Sequence, residues 1–155
     1  MKSTLKIVAG GQTGVDRTAL EWALANGIPH GGWCPKGRKA EDGVIPPQFQ
    51  LRETGSDSYS IRTRRNVRDS GGTVIFSERA DLTGGTKETA EFVKEIGKPL
   101  LKLASSAGIQ ESAIQLNSFL KEHGIVVLNV AGPRASEEPE VSQFVNAVLT
   151  QALQS

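Results

Sequence analysis

Short apolar runs alternate with segments of helical spacing along this chain, and that alternation limits the folds open to it. The runs are continuous rather than alternately apolar and polar, which is typical of strands buried on both faces of a sheet. They lie at residues 5–9, 73–76, 100–103 and 125–130, with a weaker candidate at 51–54. Helical spacing covers residues 15–27, 58–70, 87–96, 109–123 and the segment from 141 onward. We therefore expect one Rossmann-like α/β domain over residues 1–155, with a mostly parallel sheet of five or six strands flanked by helices.

Composition narrows the class of protein further. The 155 residues carry a net charge of +1, which gives no global reason to expect a nucleic acid or an acidic membrane surface as a partner. A single cysteine excludes an internal disulfide framework, and neither histidine has metal-ligand spacing to the other or to Cys34. No apolar run approaches the ~18 residues of a membrane span, and no secretory h-region precedes the first glycines. We expect a cytoplasmic protein whose partner is a small molecule.

Glycines cluster where strands are predicted to end and helices to begin. One cluster comprises Gly10, Gly11, Gln12, Thr13 and Gly14, and a second comprises Gly84, Gly85 and Thr86. Because the carboxyl ends of parallel strands meet at one sheet edge, both clusters and the polar segment 129–136 are expected to converge there. Helix starts offer unpaired N–H groups and a partial positive charge, so the clusters predict a phosphate seat. The alternative is that they are glycine-rich turns without a ligand.

Two threonines in these clusters are predicted to cap helices. Thr13 is followed three residues later by Asp16, which resembles a capping box with an acid in the first turn. Thr86 follows a double glycine directly before the next helical segment. We expect each threonine to mark the start of its helix.

Basic side chains near the glycine clusters are candidates for contacting the same anion. Lys36 lies in a glycine- and proline-rich loop, residues 33–43, and a loop of this composition in a compact domain is more often functional or disordered than a plain connector. In the predicted helix at residues 58–70, which is mostly polar, the spacing puts Arg62, Arg65 and Asn66 on one face. We include Lys36, Arg62 and Asn66 among the predicted binding residues. Lys36 could cover a phosphate, and the guanidinium fork of Arg62, on the same face as Asn66, could clamp one. A solvated charged helix is the alternative. Cys34 is expected to be a small buried residue.

Several motifs together resemble one known family. The segments GGQTGVDRTALEWA, WCPKGRKAEDG, YSIRTRRNVRDS, TGGTKETAEF and NVAGPRAS are similar to the proteins named molybdenum carriers, which are classed as circularly permuted YpsA-like members of the SLOG superfamily. The resemblance runs from about residue 6 to residue 136. It implies a Rossmann-like sheet that binds a nucleotide-like ligand at its glycine loops, residues 10–14 and 84–86. It also implies binding of the molybdenum cofactor, a phosphate-bearing pterin, and assembly into homodimers or homotetramers.

The same superfamily contains enzymes, the Lonely Guy phosphoribohydrolases, with a Pro-Gly-Gly-x-Gly-Thr-x-x-Glu motif. Gly84, Gly85 and Glu91 keep its spacing, but Thr83 replaces the proline and Lys87-Glu88 replaces the inner Gly-Thr. The resemblance therefore favours non-catalytic binding of a phosphate-bearing ligand.

Two other functions remain open from the sequence. One is a nucleotide-processing hydrolase that uses Glu91 or Asp16, because cleavage at a sugar needs a carboxylate near the bond broken. The other is a regulatory module that senses a nucleotide. On assembly, we expect part of the helix 62–68 or the Trp33 loop at a homo-oligomer interface, since aromatic and Arg residues are enriched there.

Overall fold

The structure is a computed structural model that describes residues 5–154. Within these residues the chain forms strands and α-helices joined by turns and two short 3-10 segments. The strands are β1 Lys6–Val8, β2 His30–Gly31, β3 Trp33–Cys34, β4 Lys39–Ala40, β5 Gly43–Val44, β6 Arg52–Glu53, β7 Gly72–Ser77, β8 Leu100–Ala104 and β9 Val127–Ala131. The α-helices are α1 Val15–Ala25, α2 Tyr59–Arg68, α3 Gly84–Ile96, α4 Ile109–Glu122 and α5 Val141–Leu153.

A five-stranded parallel sheet forms the centre of the molecule, in the order β2-β1-β9-β7-β8. Its register pairs Ile7 with Leu128 and Thr73 with Asn129. The predicted parallel Rossmann-like sheet is therefore confirmed, with five strands. The weaker strand candidate at residues 51–54 is confirmed as the short strand Arg52–Glu53. It pairs with Trp33–Cys34 in a separate two-stranded sheet, and the edge of the central sheet is formed by the two-residue strand β2.

Helices cover both faces of the sheet. One face packs against α1, α4 and α5, and this side holds the main apolar core, in which Val74, Leu128 and Leu149 are fully buried. The other face packs against α3, and α2 contacts α3 and the short strand β3. Continuous apolar strands are what this arrangement requires, because both faces of every inner strand are buried. Within residues 5–154, no helix is both long and apolar enough to cross a membrane.

The chain leaves neighbouring strands toward opposite faces at the centre of the sheet. After β9 it runs to α5 on one side, and after the adjacent β7 it runs to α3 on the other. A crevice forms where adjacent connections diverge in this way, and open α/β sheets bind ligands in such crevices. The loops that follow β1, β7 and β9 meet there.

The two predicted threonine caps are wrong. Helix α1 begins at Val15 after Gly14, and α3 begins at Gly84 after Thr83, so Thr86 lies inside its first turn; neither helix has a side-chain cap bond. Gly14 has φ 82°, and a Cβ on it would lie 2.5 Å from the Pro133 carbonyl oxygen. Glycine is required at this position because the loop after β9 packs directly on it.

Candidate functional site

A cleft opens at the crevice between the carboxyl ends of β1 and β9 and the starts of α2 and α3. It is lined by Gly10, Gln12, Asp16, Tyr59, Arg62, Thr63, Asn66, Gly85, Thr86, Glu88, Thr89, Asn129, Val130, Ala131, Gly132, Arg134 and Glu137. The space that a water molecule can enter is about 70 Å³. Sites for drug-sized ligands are several times larger, roughly 300–1,000 Å³, so this cleft suits only the polar end of a ligand.

A second compartment of about 260 Å³ adjoins this cleft and shares Thr86 and Glu137 with it. Its wall includes the side chains of Leu82, Pro133 and Arg79. The two compartments together form a groove over the carboxyl ends of β7 and β9. The groove has a small, strongly polar part and a larger part of mixed character.

Gln12 lines the first cleft and carries a buried side-chain donor with no partner. The residue is 6% exposed, and its Oε1 accepts the backbone N–H groups of Thr13 at 3.1 Å and Glu41 at 2.8 Å. These two donors fix which end of the amide is the oxygen, so the other end is Nε2. Among the described residues, no acceptor lies within hydrogen-bonding distance of Nε2. A buried, unpaired donor of this kind costs about 1–3 kcal/mol, so its presence in the cleft needs a reason.

Arg62 and Asp16 form a buried ion pair on the floor of the cleft. The Arg62 Nη1 atom lies 3.8 Å from Asp16 Oδ2 and donates to the Gly10 carbonyl oxygen at 2.8 Å. Burial raises the pKa of Asp16 to about 6, although Arg62 and the backbone amides of Gln12 and Gly10 act in the opposite direction. Burial likewise lowers the pKa of Arg62, and Asp16 opposes that shift. For both groups, loss of hydration outweighs the attraction between them.

The start of α3 forms another wall of the cleft, through Gly85 and Thr86. The first intrahelical bond here runs from Lys87 N to the Thr83 carbonyl, so the N–H groups of Gly84, Gly85 and Thr86 precede it. Thr86 is buried, and the Thr89 hydroxyl donates back to the Gly85 carbonyl at 2.9 Å. This wall therefore combines free backbone donors with the positive end of the helix dipole.

Three cationic side chains lie around the Tyr59 ring at the mouth of the cleft. The Nζ atom of Lys39 and the guanidinium carbons of Arg62 and Arg134 lie 4.6, 5.2 and 5.4 Å from its ring centre. Cations held over an aromatic face in this way stay close together despite their like charge. Each of these cations also has a carboxylate within 4.0 Å, with Asp57 beside Lys39, Asp16 beside Arg62 and Glu137 beside Arg134.

The structure brings Gly10, Gln12, Arg62, Asn66, Gly85 and Thr86 of the predicted residues together in the cleft. The predicted residues outside its lining are Gly11, Thr13, Gly14, Lys36 and Gly84. A Cβ on Gly11 would lie 2.6 Å from the Ile45 side chain, so this glycine allows close packing. Lys36 is exposed on the short 3-10 segment Lys36–Arg38.

Thr13 belongs to a hydrogen-bond cluster around Glu41 instead. Its hydroxyl donates to Glu41 Oε2 and accepts the Ala135 N–H at 3.1 Å. The Glu41 carboxylate also accepts the backbone and the hydroxyl of Ser136, and these bonds lower its pKa. We call this set, Gln12, Thr13, Glu41, Ala135 and Ser136, the Glu41 cluster. It joins the glycine turn, the 33–45 loop and the loop after β9.

Asn66 lines the cleft, but its amide group is hydrogen-bonded to the Trp33 backbone. Its Nδ2 donates to the Trp33 carbonyl at 3.0 Å, and its Oδ1 accepts the Trp33 N–H at 2.8 Å. The Trp33 ring lies near the guanidinium carbons of Arg52 and Arg65, at 4.4 and 4.8 Å, and its Nε1 donates to Asp69. The α2 side chains thus hold the Trp33 loop within the same chain.

Acidic side chains on α3 divide between two sides of the helix. Glu88 lines the cleft and accepts the Ser60 hydroxyl at 2.6 Å, which ties α3 to α2. Glu91 is exposed and lies in a groove beside Leu100 and Lys102, outside the cleft. The carboxylate suggested by the hydrolase motif is therefore not at the site.

Sequence reasoning did not assign a role to several residues that line the cleft. They are Tyr59, Thr63, Glu88, Thr89, Asn129, Arg134 and Glu137. The expected convergence of residues 129–136 was a partial signal for Asn129 and Arg134. The Asn129 side chain donates to the Thr73 hydroxyl at 3.2 Å, and both residues are buried in the central sheet. Asn129 lies on the floor of the cleft.

Cys34 is not among the residues that line the cleft. Cys34 is fully buried beside Ile45 and Phe49, and burial raises the pKa of its thiol. In the part of the chain that the structure describes, no group of three or more His, Cys, Asp or Glu side chains is placed to hold a metal ion.

The fold and the cleft at the divergence of β7 and β9 define this molecule as a Rossmann-like α/β protein. More specifically, the chain belongs to the circularly permutated YpsA SLOG family, whose model matches residues 7–153. It is similar to the "putative molybdenum carrier protein" of Syntrophus aciditrophicus SB, which has a crystal structure at 1.45 Å resolution. The two chains are 44% identical, the match covers 97% of this chain and 96% of the other, and the TM-score is 0.95. No curated protein matches this chain.

Proposed function

We propose that this protein binds and carries a phosphate-bearing small molecule without transforming it, and that this molecule is the molybdenum cofactor. The phosphate would lie between the start of α3 and Gln12, with Arg62 and Arg134 nearby. The name of the similar crystal structure supports a molybdenum-related ligand. The resemblance of the sequence motifs supports one that carries a phosphate.

The observation that carries the proposal is the unpaired Nε2 donor of Gln12, a residue that lines the same cleft as Gly85 and Thr86 at the start of α3. A helix start favours an anion, and a buried side-chain donor in the same cleft lacks only an acceptor. A phosphate oxygen supplies that acceptor. The cation cluster at Tyr59 adds attraction at the mouth.

The residues present fit the phosphate end of the cofactor. The small cleft matches a phosphate group in size, and the adjoining compartment of about 260 Å³ offers room for part of a ring system. Gln12, Arg62, Arg134 and the first turn of α3 would hold the phosphate, while Leu82 and Pro133 would flank the ring system. We assign no side chain of the described residues as a molybdenum ligand.

The arrangement of α3 supports binding without catalysis. Lys87-Glu88 stands where the hydrolase motif has its inner Gly-Thr. Glu91, which keeps the spacing of the motif's glutamate, is exposed outside the cleft. A carboxylate there is not placed to act on a ligand bound in the cleft.

Native mass spectrometry of the purified protein tests this proposal. We expect a bound phosphorylated pterin that is retained by the native chain and lost from a Gln12→Met variant, with Gln110→Met, an exposed glutamine on α4, as the matched control. Titration of ligand-free protein with inorganic phosphate should shift the side-chain amide resonances of Gln12 and the backbone resonances of Gly85 and Thr86. Saturating phosphate that moves none of these resonances would refute the site.

A hydrolase remains the second candidate because of Asp16. Its carboxyl lies in the cleft, and a pKa of about 6 suits a group that exchanges protons near neutral pH. This candidate predicts release of ribose 5-phosphate from purine nucleoside monophosphates that disappears in Asp16→Asn and persists in Glu91→Gln. We expect no release from the native protein.

We also propose that the protein acts in the cytoplasm as a homodimer or homotetramer. Two-fold assemblies are the commonest homo-oligomers, and α2 has few buried residues to anchor it. Light scattering at micromolar concentration should give a multiple of the 16.5 kDa chain mass. A mass of one chain that does not change with concentration would contradict this assembly.

A further inference from the structure

Glu137 lies between the two halves of the proposed phosphate seat. Its Oε1 is 4.0 Å from Arg134 Nε, and a Cβ added to Gly84 would lie 3.7 Å from its Oε2. Gly84 is the first residue of α3, so the carboxylate sits beside the positive end of that helix. Helix α3 has no side-chain cap bond, so its start still offers donors to an anion.

Glu137 also lines both compartments of the groove, at their junction beside Thr86. Its side chain is 49% exposed and lies on the loop after β9. A side chain with this much exposure can rotate into solvent without leaving a buried gap. The two compartments would then join into one continuous site.

We propose that Glu137 is an internal placeholder, a carboxylate that stands where a phosphate monoester binds and that the phosphate must displace. The inference rests on the proposed function, because it concerns the same seat. In the absence of a ligand Arg134 forms an ion pair with Glu137, whose carboxylate lies beside the start of α3. In its presence both Arg134 and the helix start would contact the phosphate. The independent sign that this position takes a ligand is the Nε2 donor of Gln12, which the Glu137 carboxylate leaves unpaired.

A placeholder carboxylate has a defined effect on affinity. The phosphate must displace Glu137 from beside Arg134 and the start of α3, and any carboxylate remaining nearby repels it. Glu137 therefore lowers the affinity of the seat for anions, and loss of its charge should raise that affinity. Neutral parts of a ligand would be unaffected by it.

The test is a phosphate titration followed by NMR on the native protein and on Glu137→Gln and Glu137→Ala. Glu140→Gln is the control, since Glu140 is exposed on the same loop, outside both compartments, and the substitution changes the charge equally. We expect both Glu137 variants to bind inorganic phosphate about three- to tenfold more tightly than the native protein, which is the scale of one surface charge interaction at a helix start. Glu140→Gln should bind like the native protein.

Two results separate the failure of this inference from the failure of the proposed function. If native protein binds phosphate at Gln12 and Gly85 but the Glu137 variants bind it equally or more weakly, the placeholder is refuted and the seat stands. If neither native protein nor variants respond to phosphate, the seat itself is refuted, and the placeholder with it. Unfolding in urea should show the Glu137 variants to be folded, because the side chain is half exposed.

Discussion

Replacement of Gln12 by methionine separates a ligand-binding role from a structural one. Methionine keeps the length of the side chain but removes both the Nε2 donor and the Oε1 acceptor. In the ligand-free protein Oε1 accepts the N–H groups of Thr13 and Glu41, whereas Nε2 has no partner among the described residues. Binding and stability therefore depend on different ends of the same amide.

The structure sets the expected magnitudes. A hydrogen bond to a charged phosphate oxygen contributes about 1.5–3 kcal/mol, so its loss weakens phosphate binding about 10- to 150-fold. Loss of the two backbone bonds costs about 0.5–1.5 kcal/mol each. Removal of the buried unpaired donor returns about 1–3 kcal/mol of desolvation cost. The free energy of unfolding should thus change by less than about 2 kcal/mol, in contrast to the large loss of affinity.

Two assays measure these effects. An NMR titration with inorganic phosphate gives the dissociation constant, and urea unfolding gives the stability. Gln110→Met controls for a glutamine-to-methionine exchange at an exposed site on α4. Unchanged phosphate affinity in Gln12→Met would show that Nε2 does not contact the anion. A loss of stability well above ~3 kcal/mol with little change in affinity would show that the amide acts mainly as a structural clamp.

Two further predictions follow from buried polar groups. The pKa of Asp16 is raised to about 6 in the folded chain from an ordinary value of 3.8, so the folded state holds more protons between these values. The stability that Asp16 contributes is therefore present at low pH and is lost as pH rises from about 4 to 6. In urea unfolding, the native protein should lose up to about 3 kcal/mol of unfolding free energy over that range relative to Asp16→Asn. A difference in unfolding free energy between the two proteins that stays constant or rises with pH would contradict the raised pKa. Asn66→Ala removes both hydrogen bonds to the Trp33 backbone at a buried position. In urea unfolding it should lower the free energy of unfolding by about 2–3 kcal/mol. An unchanged free energy of unfolding would assign Asn66 to ligand contact alone.

The fold could be predicted from the sequence because its signal is local. Continuous apolar runs such as 73–76 and 125–130 identify buried parallel strands without knowledge of their partners. Strand β2 could not be found in this way, because His30–Gly31 is extended only through its pairing with Ile7 and Val8. Its two residues have no apolar pattern of their own.

The site could be predicted only in part, because its details depend on contacts between distant residues. Gly14 reads as a ligand-binding glycine, yet it accommodates Pro133, more than a hundred positions away. The free donor of Gln12 appears only once Glu41 is known to occupy the other end of the amide. The side of α3 that faces the cleft depends on where the helix starts, and the start at Gly84 turns Thr89 inward and leaves Glu91 in solvent.

The Glu41 cluster joins three segments of the chain that are far apart in sequence, and this has a kinetic consequence. Opening of the 33–45 loop must release the loop after β9 and the glycine turn at the same time, because one carboxylate bonds to both Thr13 and Ser136. Segments coupled in this way fluctuate as one cooperative unit. The amide hydrogens of Glu41, Ala135 and Ser136 should therefore report one common free energy of opening in hydrogen exchange, and a ligand that contacts Gln12 should raise it for all of them together.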